Sequence, residues 1–132
     1  MRSWHDYYVT GYVVDGAGGT ITFVLRAPSE TTNDEASRLT FHGVKGYFLE
    51  HDLGSNIVFE IKEGGLAEFL DENAPLFNEE KKWGWPLFWK GSTSTTMEYL
   101  SQNHAKLWEI STSYGLSGWV VATGVSESEG AV

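Results

Sequence analysis

Residues 20–26 place Ile21, Phe23 and Leu25 on one side of the chain and Thr22 and Val24 on the other. Such period-two alternation marks a strand with one buried face. Residues 57–62 repeat the pattern, with Ile57, Phe59 and Ile61 alternating with Val58, Glu60 and Lys62. One-sided strands belong to antiparallel sheets. The register predicts that all six apolar residues face one core, because a slip by one residue would turn each of them outward.

The surrounding segments extend this sheet. Residues 4–14 are rich in Tyr, Val and Thr, and the turn Asp15-Gly16-Ala17-Gly18-Gly19 joins them to the alternating run as a hairpin. Residues 28–36 are polar and acidic and read as an exposed loop. Residues 38–44 and 45–51 are two strand-like runs, or one long strand bent near Gly43 and Gly46. Residues 52–56 form a turn before the second alternating run.

Helical spacing begins at Leu66, Phe69 and Leu70, and Asn73-Ala74-Pro75 is expected to end that helix. A second helix is expected over residues 93–104. Thr95 and Glu98 have capping-box spacing, Ser94 is a rival cap, and Met97, Leu100 and His104 share one face. His104 suits a last turn, where an imidazolium meets the negative helix end. Residues 106–112 and 117–123 read as a closing hairpin around Tyr114-Gly115-Leu116. The expected fold is therefore α+β: a curved antiparallel sheet of about six strands, with two helices inserted before a C-terminal hairpin. The helices should cover the concave face or plug one end. Residues 1–124 are expected to form a single domain, and 125–132 an acidic flexible tail.

Composition narrows function mainly by exclusion. A chain of 132 residues is long enough to fold around its own core without a metal or disulfide. It has no cysteine, which removes disulfides, zinc–thiolate sites, iron–sulfur clusters and cysteine nucleophiles. Eighteen acidic residues against nine basic ones give a net charge of −9, which opposes phosphate neutralisation and so argues against nucleic acid as a partner. The same charge favours a basic protein partner or a cationic ligand. Residues 1–6 turn polar at once, so no signal peptide is expected. No apolar run reaches membrane-spanning length, so no membrane association is expected and the cytoplasm is the expected compartment.

Trp83-Gly84-Trp85-Pro86-Leu87-Phe88-Trp89 packs four large aromatic side chains into seven residues. Trp83, Trp85, Phe88 and Trp89 are candidate binding residues, as a platform for a sugar, a cation or a protein hot spot. Alternatively they are packing residues, with Pro86 fixing the turn. Trp83 and Trp85 are two apart and point the same way if the chain is extended. His51 and Asp52 are the second candidates, at a strand end beside Gly54. Glu50, His5 and Asp6 are possible co-ligands for a divalent ion, but no metal-ligand spacing appears in the sequence, and the simpler reading is a turn-forming Asp beside an exposed His. His42 carries no spacing signal. No nucleophile elbow, dinucleotide fingerprint or phosphate loop is present, so no catalytic residue, metal or cofactor is assigned. The acids Glu60, Glu63, Glu68, Asp71, Glu72, Glu79 and Glu80 invite a glycosidase reading, yet most fall on expected solvent faces.

The small, acidic, cysteine-free and aromatic-rich composition is similar to that of bacterial immunity proteins that neutralise secreted toxins. The resemblance is compositional and rests on no motif. It implies a non-enzymatic interaction protein, an acidic module docking a basic protein. The alternative is a small carbohydrate-binding domain or hydrolase that uses residues 83–89 with nearby carboxylates. A homodimer with that segment as its interface is a third reading.

Overall fold

The computed structural model describes residues 3–27 and 35–131. Most of the loop expected at 28–36 lies outside them. Strands β1 (Tyr8–Asp15), β2 (Thr20–Arg26), β3 (Glu35–His42), β4 (Gly46–Glu50) and β5 (Asn56–Gly64) precede helices α1 (Leu66–Glu80) and α2 (Thr93–Gln102). Strands β6 (Lys106–Tyr114), β7 (Ser117–Ala122) and β8 (Gly124–Ala131) follow. All eight form one antiparallel sheet in the order β4-β7-β6-β5-β1-β2-β3-β8. Among the described residues the fold is α+β with eight strands, where about six were expected.

The difference in strand number comes from two bends. Only residues 43–45 separate β3 from β4, and only Thr123 separates β7 from β8. β3 pairs with β8, and β4 pairs with β7. The backbone bonds Thr123 N to His42 O and Lys45 N to Val121 O continue the pairing across the bends. Gly43 takes the left-handed conformation at the corner, with φ 60°. One two-stranded ribbon thus serves both halves of the sheet, as strands do at the corners of orthogonally packed sheets.

The sheet is strongly curled. β3 and β6 stand four positions apart in the strand order, which in a flat sheet would be about 19 Å. The Phe41 and Trp108 rings nevertheless have centroids 5.4 Å apart. The concave face encloses one core, which includes Ile21, Phe23, Leu25, Leu39, Phe41 and Trp108.

The second alternating run holds its phase less well than the first. Ile21, Phe23 and Leu25 are all buried. In β5, Ile61 is buried, but Ile57 is only half-buried and Phe59 is 51% exposed, with Val58 buried in its place. The β5–β6 register shifts on both sides of Val58, and each irregularity resets which side chains face inward.

The helices cover the convex face of β6 and β7, not the concave one. Alternation in these two strands divides their side chains between two cores. Trp108, Ile110, Val120 and Ala122 point into the sheet's interior. Leu107, Trp119 and Val121 point out against Phe69, Leu70 and Phe77 of α1 and Leu100 of α2. The concave face is already filled by its own strands, so the outer face of β6–β7 is the apolar surface that needs cover.

Both helix ends differ from expectation. α1 does not stop at Asn73-Ala74-Pro75; it continues through Pro75 to Glu80. An interior proline removes one hydrogen bond and costs about 3 kcal/mol. Phe77, two residues further on, is fully buried among other rings, which offsets that cost. The cap of α2 is Ser92, whose Oγ accepts from Thr95 N, ahead of both Ser94 and Thr95. The helix ends at Gln102, and His104 stands beyond it, exposed and with φ 58°.

The C-terminal hairpin is not the last element, because residues 124–131 form the edge strand β8 where a tail was expected from Val125. Val125 packs against the inner core, and His42 Nε2 lies 2.7 Å from Ser126 Oγ. The remaining side chains of β8 are mainly small or acidic. Charge on an edge strand is a common device against edge-to-edge aggregation, and it made this strand read as a tail. Among the described residues no helix is long and apolar enough to cross a membrane.

Candidate binding cleft

The aromatic segment begins as a short 3-10 helix, Lys81–Trp83, closed by Gly84 in the left-handed conformation at φ 75°. The chain is therefore not extended there, and Trp83 and Trp85 part company. Trp83 is 75% exposed and Leu87 80% exposed. The Trp85–Pro86 bond is cis, and Trp89 N donates to Pro86 O. Phe88 and Trp89 are buried. Phe88 lies over Gly46 of β4, where a Cβ would stand 2.7 Å from its Cε2. Trp89 Nε1 donates to Asn78 Oδ1 of α1 at 2.9 Å, satisfying the indole inside the cluster.

Phe77 is the centre of this cluster. Its ring contacts Phe69, Trp85, Phe88, Trp89 and Trp119 edge-on, at centroid distances between 5.5 and 6.1 Å. Phe88 and Trp89 are thus packing residues, and Trp85 is the half-buried ring of the segment.

Trp85 also lines a concavity of about 420 Å³, which opens between α1 and the outer faces of β4, β7 and β6. Phe48, Phe69 and Trp119 provide its other aromatic walls. The Trp85 and Trp119 rings are 6.0 Å apart and inclined by only 37°. Two carboxylates, Glu50 and Glu109, border the same space, and among the described residues no Lys, Arg or His lines it. Glu109 faces outward beside Trp119, its pairing partner on β7. Its carboxylate lies across Gly64, where a Cβ would be 2.6 Å from Oε1. Among the described residues Glu109 has no cation partner, and Glu50 has only His51, at 4.0 Å.

Of the residues singled out from sequence, Trp85 and Glu50 line the cleft. His51 and Asp52 fall in the loop after β4, one and two residues beyond the lining Glu50. His51 has φ 62° and a largely exposed side chain. Asp52 is a turn residue: Oδ1 accepts from Gly54 N at 2.8 Å and from Asn56 Nδ2 at 2.9 Å. Asn56 is buried and ties the loop down, its Oδ1 accepting from Leu53 N and Leu116 N. Among the described residues no three His, Asp or Glu side chains converge on a metal position. The acids suggested for glycoside chemistry include Glu60 and Glu63, which pair with Lys62 and Lys106 at 3.7 and 3.6 Å.

The hydrogen bonds from Asn56 and Gly54 hold the Asp52 carboxyl below its ordinary pKa of 3.8. A depressed carboxylate pKa contributes stability that is complete above the unfolded value and is lost as pH falls through the folded one. Asp52→Asn should therefore flatten the fall in stability below pH 3.8 and leave the neutral-pH dependence unchanged. Thermal melts between roughly pH 6 and pH 2.5 test this; an unaltered acid limb would show that the carboxylate contributes nothing.

Sequence reading missed Phe48, Phe69, Glu109 and Trp119. Their one local signal is that Glu109 and Trp119 fall on the outward positions of alternating strands. The sequence matches no protein-family model and resembles no curated protein.

Proposed function

We propose that this chain is a non-enzymatic interaction module that docks a basic protein partner on the face carrying the cleft. The observation that supports this most is the lining itself: four aromatic rings and two carboxylates without a compensating cation. Aromatic faces and carboxylates both favour positive charge. A net charge of −9 steers basic surfaces toward the molecule before contact. Ser111, the hydroxyl in the lining, points its Oγ at Glu60 O at 3.5 Å. The described lining holds no His or Lys to activate it as a nucleophile.

A second reading has a specific observation behind it. The Trp85 and Trp119 rings line an open cleft, and such rings also stack on sugars. Blocked deca-lysine and cellohexaose separate the two readings in an NMR titration. The module reading expects deca-lysine to shift resonances around β4, β6 and β7, with binding weakening steeply from about 50 to about 500 mM salt. Shifts scattered over all acidic surfaces would count against it. Salt-insensitive binding of cellohexaose alone would replace it with the sugar reading.

A further inference from the structure

We infer that the cleft takes a single arginine side chain of a polypeptide partner, whose flanking chain lies along the open edge of β4. This rests on the interaction-module reading and names what that site holds.

The cation follows from Glu109. It is a half-buried carboxylate beside Trp119; Lys62 stands opposite it on β5 but pairs with Glu60 at 3.7 Å, and among the described residues no cation is within ion-pair distance of Glu109. A positive group gains more from a carboxylate held among apolar rings than from one surrounded by water. Arginine suits the walls better than lysine. A guanidinium is planar and weakly hydrated, stacks on indole faces and forks to carboxylates, whereas an ammonium holds its water more tightly. A neutral ligand finds less here. Apart from the two carboxylates, the polar side chains of the lining are Asn73 and Ser111. The Asn73 amide already donates to Phe69 O at 2.9 Å.

The polypeptide follows from what adjoins the cleft. A second groove, of about 380 Å³, runs along residues 45–49 and is walled on its far side by Gly84, Trp85 and Leu87. Phe48 and Trp85 belong to both concavities. Among the described residues β4 pairs only with β7 and ends the sheet, so its other edge offers backbone donors and acceptors to an added strand. Leu87, 80% exposed, gives that strand an apolar contact.

The test uses blocked Gly-Gly-Arg-Gly-Gly, the same peptide with citrulline in place of arginine, and methylguanidinium. It follows the indole N–H signals of Trp85 and Trp119 and the amides of β4. The arginine peptide should shift both sets, and the citrulline peptide should bind roughly tenfold more weakly or worse, since a cationic N–H donor group becomes a neutral carbonyl acceptor of nearly the same shape. Glu109→Gln should weaken the arginine peptide about fivefold or more while leaving the melting temperature unchanged. Glu50→Gln, at an exposed strand end, provides a second variant if Glu109→Gln perturbs folding.

Equal binding of the arginine and citrulline peptides would overturn the inference, as would indifference to both carboxylate changes. Methylguanidinium binding as tightly as the peptide would overturn its polypeptide part. If deca-lysine still docks on this face in a salt-dependent way while the arginine peptide fails these tests, the arginine assignment falls and the module reading stands. If neither peptide binds, both fall.

Discussion

Truncating Phe77 to Ala should destabilise the protein by about 3–5 kcal/mol, the range for a large aromatic removed from a packed core. The upper part of that range is expected. Phe77 is fully buried and is the ring on which α1, the Trp segment and β7 converge, so no single neighbour can collapse into the space. Trp83→Ala provides the contrast. That ring is 75% exposed, with Lys82 Nζ 5.6 Å from its centroid, and its loss should cost less than about 1 kcal/mol. Urea denaturation of both variants measures the difference. Comparable losses would mean that the exposed tryptophan has a packing role its position does not suggest.

Gly118→Ala should cost about 3 kcal/mol or more, combining a backbone conformation hostile to side chains with overpacking. Gly118 has φ 154°, and a Cβ there would collide with the carbonyl oxygen of its neighbour Phe48. Relief requires β4 to move away from β7, and that movement would also open the cleft, since Phe48, Gly118 and Trp119 all line it. The variant should therefore lose stability and the cleft's ligand response together. A melting temperature within a few degrees of the parent would show that β4 yields easily.

The comparison of β2 with β5 shows what made parts of the fold legible. β2 lies inside the sheet, and its pairing with β3 runs without interruption from Thr20 to Leu25, so its local alternation translates directly into burial. In β5 the same alternation is overridden by register shifts opposite β6, which depend on a strand some fifty residues later. Pro75 is a similar case. Its helix-breaking tendency is local, whereas the burial of Phe77 that outweighs it comes from the surrounding aromatic cluster. β8 was invisible because main-chain pairing with β3 holds it, and composition carries no trace of that. The cleft was legible only through Trp85 and Glu50. Its other walls meet because β4 pairs with β7 and α1 crosses the outside of the sheet. Linear spacing cannot encode that meeting.

The ribbon that joins β3–β4 to β7–β8 has a consequence for how the protein is made. Glu35 pairs with Ala131, and Ser37 Oγ donates to Glu129 across 92 positions of sequence. Closing so wide a loop is slow, because its entropy must be spent before the contacts return anything. As the chain leaves the ribosome, β1, β2 and β3 can form a meander early, while the outer edge of β3 is covered only once β8, 92 positions further along, has emerged. In that interval the nascent sheet presents an open strand backed by Leu39 and Phe41, the kind of surface that recruits chaperones or other nascent chains. The residues of β8 are therefore the ones that end the exposure of this edge to misassembly.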